Sequence, residues 1–337
     1  MEGSVFSNCG SLKSVALPPK IQTIEMSLFY YCKSLTSVTI SRGVTSIGDY
    51  AFDNCESLTS VTIPDSVTAI GNSAFFMCKQ LTEVTVPGSV QEIRHGAFSL
   101  CDSLTRLTIQ EGVRSIGSQA FYICGSLTDA VIPDSVTEIG EEAFYWCKNL
   151  RVLRIGNGVR TIGENAFSHC DGLTSLVISG GIENIGDYAF SECKNLQSLT
   201  IGDGIRTIGE KAFYRCEELT SVTIPDSVEE IGAYAFAGCG GLVSLTIGNG
   251  VRTIGERAFM SCEKLERVII PDSVETIGEC AFIACKSMTR VTFPAGIGDI
   301  GEDAFYWCDR LTAVVFPGSY AEAYCGDYCI PCEYPEN

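Results

Sequence analysis

The sequence predicts a repeat solenoid, β-rich and right-handed, with parallel sheets and one short helical or 3₁₀ turn in each 23-residue rung. Three observations predict it. Leucine recurs at 12, 35, 58, 81, 104, 127, 150, 173, 196, 219, 242, 265 and 311, with Met288 in that place once. A strict period of this size without insertion or deletion is the signature of stacked units. An isoleucine column from Ile24 to Ile300 has no exception in thirteen units, and phenylalanine fills its place fourteen times from Phe6 to Phe305. Finally, one unit has too few apolar side chains for a core and no partner for its strand edges, so it folds only by stacking. The predicted organisation is a partial repeat at 1–11, thirteen repeats over 12–310, and a last partial repeat with a C-terminal cap at 311–337.

Each unit reads as three segments. The first, Leu-x-x-Val-x-Ile, alternates apolar and polar residues as a half-buried strand does. Proline ends it in seven units (64, 87, 133, 225, 271, 294 and 317), and Gly-Asn-Gly or Gly-Asp-Gly ends it at 156–158, 202–204 and 248–250. Proline cannot donate to a ladder, and the glycine triplets are turn chemistry. The second segment, Val-x-x-Ile-Gly, predicts another short strand. Glycine follows the isoleucine in eleven of thirteen units, Glu25 and Arg94 being the departures. It marks a corner with positive φ or close backbone approach. The third, Ala-Phe-x-x-Cys, sets Phe and Cys on one face of a short helix or 3₁₀ turn, and a ring repeated in every unit must stack inside. Each strand column is expected to form one long sheet. In the tail, Ser319 to Cys325 predicts a helical cap over the last rung.

Composition narrows the function. Forty-one acidic against 23 basic residues give a net charge of −18, which argues against nucleic acid, whose phosphates need clustered Lys and Arg. No apolar run reaches the ~20 residues of a membrane span, so no membrane insertion is expected of this chain. Met1 to Phe6 does not read as a signal peptide, and Phe6 and Cys9 already stand in register. Two readings follow: a piece of a longer parent, or a short form that stays inside the cell.

The unit Leu-x-x-Val-x-Ile-Pro-x-x-Val-x-x-Ile-Gly-x-x-Ala-Phe-x-x-Cys resembles the treponemal class of leucine-rich repeat, the BspA-like surface-protein family. The likeness covers nearly the whole chain, and the tail with Gly318-Ser319, Ala321, Tyr324 and Ile330-Pro331 is similar to the closing segment of such proteins. The resemblance implies a leucine-rich-repeat solenoid that is a non-enzymatic interaction module without cofactors. It implies a protein ligand, such as a host extracellular-matrix or plasma protein, and display at the cell surface or secretion as part of a longer parent. The alternative is a cytoplasmic scaffold with reduced thiols. No binding residue carries over, because the family motif specifies the core.

Several residues invite chemistry. Fourteen of the eighteen cysteines form one column from Cys9 to Cys308, read as buried thiols acting as small hydrophobes. Cys325, Cys329 and Cys332 are a weak metal candidate that lacks the fourth ligand zinc wants; a local disulfide and free tail thiols are the other readings. His95 and His169 stand in different columns and make no catalytic pair. Arg160, Glu183, Arg206, Glu229, Arg252 and Glu275 alternate in sign at rung spacing, a salt-bridge ladder within a partial 46-residue super-repeat. Glu141, Glu164, Asp187, Glu210, Glu256, Glu279 and Glu302 form an acidic column suited to solubility or to a basic partner. Ser and Thr dominate the outward positions of the first strand, interrupted by Val131, Arg154, Val177 and Ile269. Aromatic residues gather between Phe and Cys, and Trp and Tyr are the usual anchors of an interface. Tyr145, Trp146, Tyr214, Tyr306 and Trp307 are the partner-binding candidates.

Overall fold

A computed structural model describes residues 4–179 and 181–335. The chain is a parallel-sheet solenoid whose contacts resolve into two compact units, residues 1–173 and 174–337. In the first unit seven two-residue strands, from Thr23–Ile24 to Thr161–Ile162, pair in chain order, so that Ile24 faces Ile47 and Ile139 faces Ile162. In the second unit six do the same, from Asn184–Ile185 to Asp299–Ile300. Every isoleucine of this column is buried.

The first-strand column does not form one long sheet in either unit, contrary to the sequence expectation. Ser60–Val61 ends one sheet and Glu83–Val86 begins the next; Ser244–Thr246 and Arg267–Ile269 are separated in the same way. The proline that follows the strand removes one ladder bond at these steps. At that position Gln110 N–H donates to the Val86 carbonyl one rung back (3.1 Å), and Gly202 N–H to that of Ile178 (2.9 Å). Pro87 and Pro271 have no N–H to give. Pairs whose later rung ends in Gln or Gly run four residues deep in three cases, Val86↔Ile109, Ile132↔Ile155 and Ile178↔Ile201 closing their registers. Those ending at Pro133 or Pro225 keep one paired position each, Asp129↔Arg106 and Ser198↔Ser221. Arg290–Thr292 is an exception: despite Pro294 it pairs at three positions, helped by Ile270 N–H donating to the Thr292 carbonyl (2.9 Å).

The two turn types belong together. Asp134 Oδ1 accepts from Asn157 N–H (2.8 Å), and Asp226 Oδ1 from Asn249 N–H (2.7 Å). A Cβ on Gly158 would stand 1.8 Å from the Asp134 carbonyl oxygen, and one on Gly250 1.9 Å from that of Asp226. Only glycine lets the backbone settle there. The 46-residue super-repeat is therefore a fitted couple of rungs, Pro-Asp-Ser below and Gly-Asn-Gly above.

The third segment makes the i→i+3 bonds of a 3₁₀ turn but never becomes a helix. In one rung Leu28, Tyr30 and Cys32 N–H groups bond to Glu25, Ser27 and Phe29 carbonyls, while Ser27, Phe29 and Tyr31 bond forward to Asp49, Ala51 and Asp53 of the next. Two residues per rung take positive φ to permit this alternation: the one two before Phe (Ser27, Tyr50, Glu142) and the one before Cys (Tyr31, Trp146, Trp307). Such backbone costs a non-glycine residue ~1–2 kcal/mol, offset here by a bond to the neighbouring rung.

Behind these turns the Phe rings stack with centroids 5.1–5.6 Å apart in each unit. The cysteine column lies beside them. Cys55 Sγ donates to the Phe29 carbonyl (3.2 Å), and Cys239 Sγ to Phe213 (3.3 Å), with the same contact in other rungs. Cys32, Cys55, Cys239 and Cys308 are among the thiols that form no disulfide. The conserved shape of the turn thus uses cysteine both as a small apolar filler and as a donor to a buried carbonyl.

The predicted cap is present as the helix Tyr320–Asp327. Ser319 caps it by accepting from Glu322 N–H (3.2 Å), and Ala321, Tyr324 and Cys325 face inward. The chain then returns as the strand Cys332–Glu333, which pairs Ala313↔Cys332 and covers the open edge of the last sheet. Among the described residues no helix is long and apolar enough to cross a membrane.

Candidate interaction surface

The backbone of the Phe-x-x-Cys turn decides where the aromatic candidates point. The second x takes φ near +60° in its column, 58° at Trp146 and 61° at Trp307. Far from being loosely constrained, as its variable sequence suggests, this position is held by a bond to the next rung, such as Trp146 N–H to the Ser168 carbonyl (2.9 Å). Phe and Cys on either side turn inward; between them small or polar residues such as Asp53 and Ser99 are buried, while Trp146, Tyr306 and Trp307 stand out.

In the first unit Tyr145 and Trp146 come together with Tyr122 and His169. Tyr122 stacks on Tyr145 at 5.3 Å, and His169 meets Tyr145 and Trp146 edge-on at 5.5 and 5.6 Å. Trp146 remains 48% exposed. His169 is a packing partner of this cluster, a contact its column position does not announce; His95 is exposed elsewhere. In the second unit Tyr214 is half-buried under the guanidinium of Arg215, 5.4 Å away. Tyr306 and Trp307 tilt against each other at 5.0 Å and are 49% and 57% exposed. They border a cleft beneath the terminal helix.

The strand face behaves as a hydroxyl-lined sheet. Val131, Val177 and Ile269 stand 50%, 63% and 70% exposed along the Ser/Thr rows. The threonine after the leucine stitches rungs together, a role sequence reading missed: Thr82 Oγ1 donates to the Thr59 carbonyl (3.3 Å) and Thr105 Oγ1 to Thr82 (3.1 Å).

The charge columns resolve into local pairs. Arg206 binds Glu229 at 2.8 Å and Arg252 binds Glu275 at 3.0 Å, all four well exposed. Such pairs contribute ~0–1 kcal/mol. In the acidic column Asp187 Oδ1 accepts from Glu210 N–H (2.7 Å), Lys211 holds Glu210 (2.9 Å), and Arg257 contacts Glu256 and Glu279. Lys211 also lies between the rings of Tyr188 and Tyr234, 4.8 and 5.0 Å from their centroids, a cation–π stack not anticipated from the sequence. The chain's own cations therefore relieve part of the like-charge repulsion.

The three tail thiols do not gather into a metal centre. Among the described residues no group of three or more His, Cys, Asp or Glu side chains could hold a metal ion. Cys325 is buried by the terminal helix, whereas Cys329 and Cys332 are exposed. Burial, then the neighbouring Cys332, pushes the Cys325 thiol up to about 12. In the column, burial likewise pushes Cys124 up to about 12. These are thiols rather than reactive thiolates.

The chain matches the model of the BspA type leucine rich repeat region over residues 1–128, 114–243 and 206–330. It is similar to a solved leucine-rich repeat protein from Bacteroides ovatus, at 25% identity and a TM-score of 0.85, over 100% of this chain and 87% of that one. It is also similar to a leucine rich cell surface protein from Faecalibacterium prausnitzii, at 29% identity and a TM-score of 0.53, over 96% and 84% of the two chains. No curated protein matches it.

Proposed function

The chain belongs to the BspA type leucine-rich repeat family, and from that premise we propose that it is a non-catalytic protein-binding module of a cell-surface protein, one that adheres to host extracellular-matrix or plasma proteins. The observation that carries this reading is a set of exposed aromatic side chains in each unit. Trp146 in the first unit, and Tyr306 and Trp307 in the second, are each about half exposed on the Phe-x-x-Cys turn. Rigid aromatic anchors lose little entropy on binding and dominate interface energies. The Ser/Thr strand face supplies polar complementarity. Support for a non-catalytic role comes from the cysteine column, which is buried from Cys32 to Cys308 and whose sulfurs donate to Phe carbonyls, as at Cys55 and Cys239. The cell-surface relative from Faecalibacterium prausnitzii supports the location.

The test is surface-plasmon screening against immobilised extracellular-matrix and plasma proteins. Trp146→Ala combined with Trp307→Ala should weaken capture at least about tenfold, the loss of ~1.4 kcal/mol or more that such anchors carry. The unfolding midpoint should stay almost unchanged. Unaltered capture would move the site to the strand face, and a large fall in stability would make the rings structural.

A second reading, an intracellular scaffold, rests on the exposed Cys329 and Cys332 forming no disulfide, since reducing compartments keep such thiols reduced. Protease accessibility on intact cells separates the two: digestion from outside supports display at the surface.

A further inference from the structure

The cleft at the C-terminal end of the second unit has two aromatic walls. Tyr306 and Trp307 form one, with centroids 5.0 Å apart; Tyr324 and Tyr328 form the other, stacked at 4.4 Å. Asp309, Leu311 and Pro331 are among the other lining residues, and the open cleft's volume is about 260 Å³. That is below the ~300–1,000 Å³ of small-molecule sites and suits a single long side chain. Chemistry narrows the occupant further. Several outer rings elsewhere on this molecule are met by the chain's own cations: Lys33 over Tyr31 at 5.3 Å, Arg215 over Tyr214 at 5.4 Å, Arg257 over Tyr234 at 5.5 Å. Among the described residues no such cation lies over Tyr306, Trp307, Tyr324 or Tyr328. Where Tyr214 is followed by Arg215, Tyr306 is followed by a second ring, and a carboxylate stands at the rim.

We propose that this cleft receives the cationic side chain, lysine or arginine, of a partner protein. Ring faces attract a cation through their quadrupole, most strongly with tryptophan. Asp309 supplies the opposite charge, and the net charge of −18 favours approach of a basic surface. The proposal deepens the partner-binding reading and rests on the aromatic edge being the contact surface.

The experiment uses the full chain and terminally blocked Gly-Lys-Gly, Gly-Arg-Gly and Gly-norleucine-Gly peptides, the last a neutral counterpart of lysine. The indole N–H resonance of Trp307, assigned with the help of Trp146→Phe, reports binding by NMR. Lysine and arginine peptides should shift it saturably at millimolar concentration, and norleucine about tenfold more weakly, the ratio expected for a cation held by rings and a carboxylate. Asp309→Asn and Tyr328→Ser should each weaken the lysine response severalfold while the chain stays folded. Equal responses to lysine and norleucine would overturn the cation assignment and leave the aromatic edge standing. An unchanged lysine response in Tyr328→Ser would overturn the cleft as the site. Retention of the natural partner by Trp146→Ala with Trp307→Ala would instead overturn the edge reading itself.

Discussion

Removing one ring from the phenylalanine stack measures what holds a rung in place. Phe213 is fully buried, with Phe190 at 5.6 Å and Phe236 at 5.1 Å on its two faces and interplanar angles of 6° and 10°. Phe213→Ala opens a cavity inside the solenoid, a change that costs ~3–5 kcal/mol. Two stacked contacts of ~0.5–1.5 kcal/mol each are lost with it, and because the rungs on both sides are backbone-bonded, the site cannot collapse. The expected cost is therefore near the upper end, about 4–5 kcal/mol. Phe213→Leu keeps most of the volume and loses the stacking, so about 1–2 kcal/mol is expected. Arg206→Glu, 65% exposed and paired only with Glu229 across the surface, is the control at about 1 kcal/mol or less. Guanidinium unfolding followed by circular dichroism gives the comparison through midpoints, since long repeat arrays can depart from two-state behaviour. A Phe213→Ala midpoint no lower than that of Arg206→Glu would refute the argument that the ring column is the structural spine.

Two further outcomes follow from buried titratable groups. A small thiol reagent at pH 8 should label the exposed Cys329 and Cys332 rapidly and the buried column slowly until the chain is denatured; rapid labelling of the column in the native chain would contradict its burial. Desolvation pushes Asp53 up to about 6, against a hydrogen bond from Asn54 that pulls the other way. Its folded-state pKa exceeds the unfolded value, so ionisation is penalised: stability should fall as pH rises from about 4 through about 6. Asp53→Asn should flatten that part of a denaturation-midpoint profile, and an unchanged profile would count against the burial of this carboxyl.

The sequence by itself determined the repeat, its length and which columns lie inside. A 23-residue unit that cannot bury its own apolar face must stack, and unbroken columns such as Ile24 to Ile300 and Phe6 to Phe305 then have only the interior to occupy. The terminal helix was legible too, in the Ser319–Cys325 segment that breaks the period after Pro317. What periodicity cannot express is what one rung does to the next. The interruptions of the first-strand column depend on whether Pro87 or Gln110 stands above a given carbonyl. The left-handed turn at Trp146, like those of the same column in other rungs, arises because alternate N–H groups reach forward to the neighbouring rung, a constraint that leaves no residue preference in that variable column. The return of Cys332–Glu333 to the last sheet, and with it the aromatic cleft, required the tail to be placed in space. Burial is a property each residue type carries in its own solubility, and so it is written along the chain. Pairing between rungs is a property of two backbones at once, and only the tertiary structure brings them together.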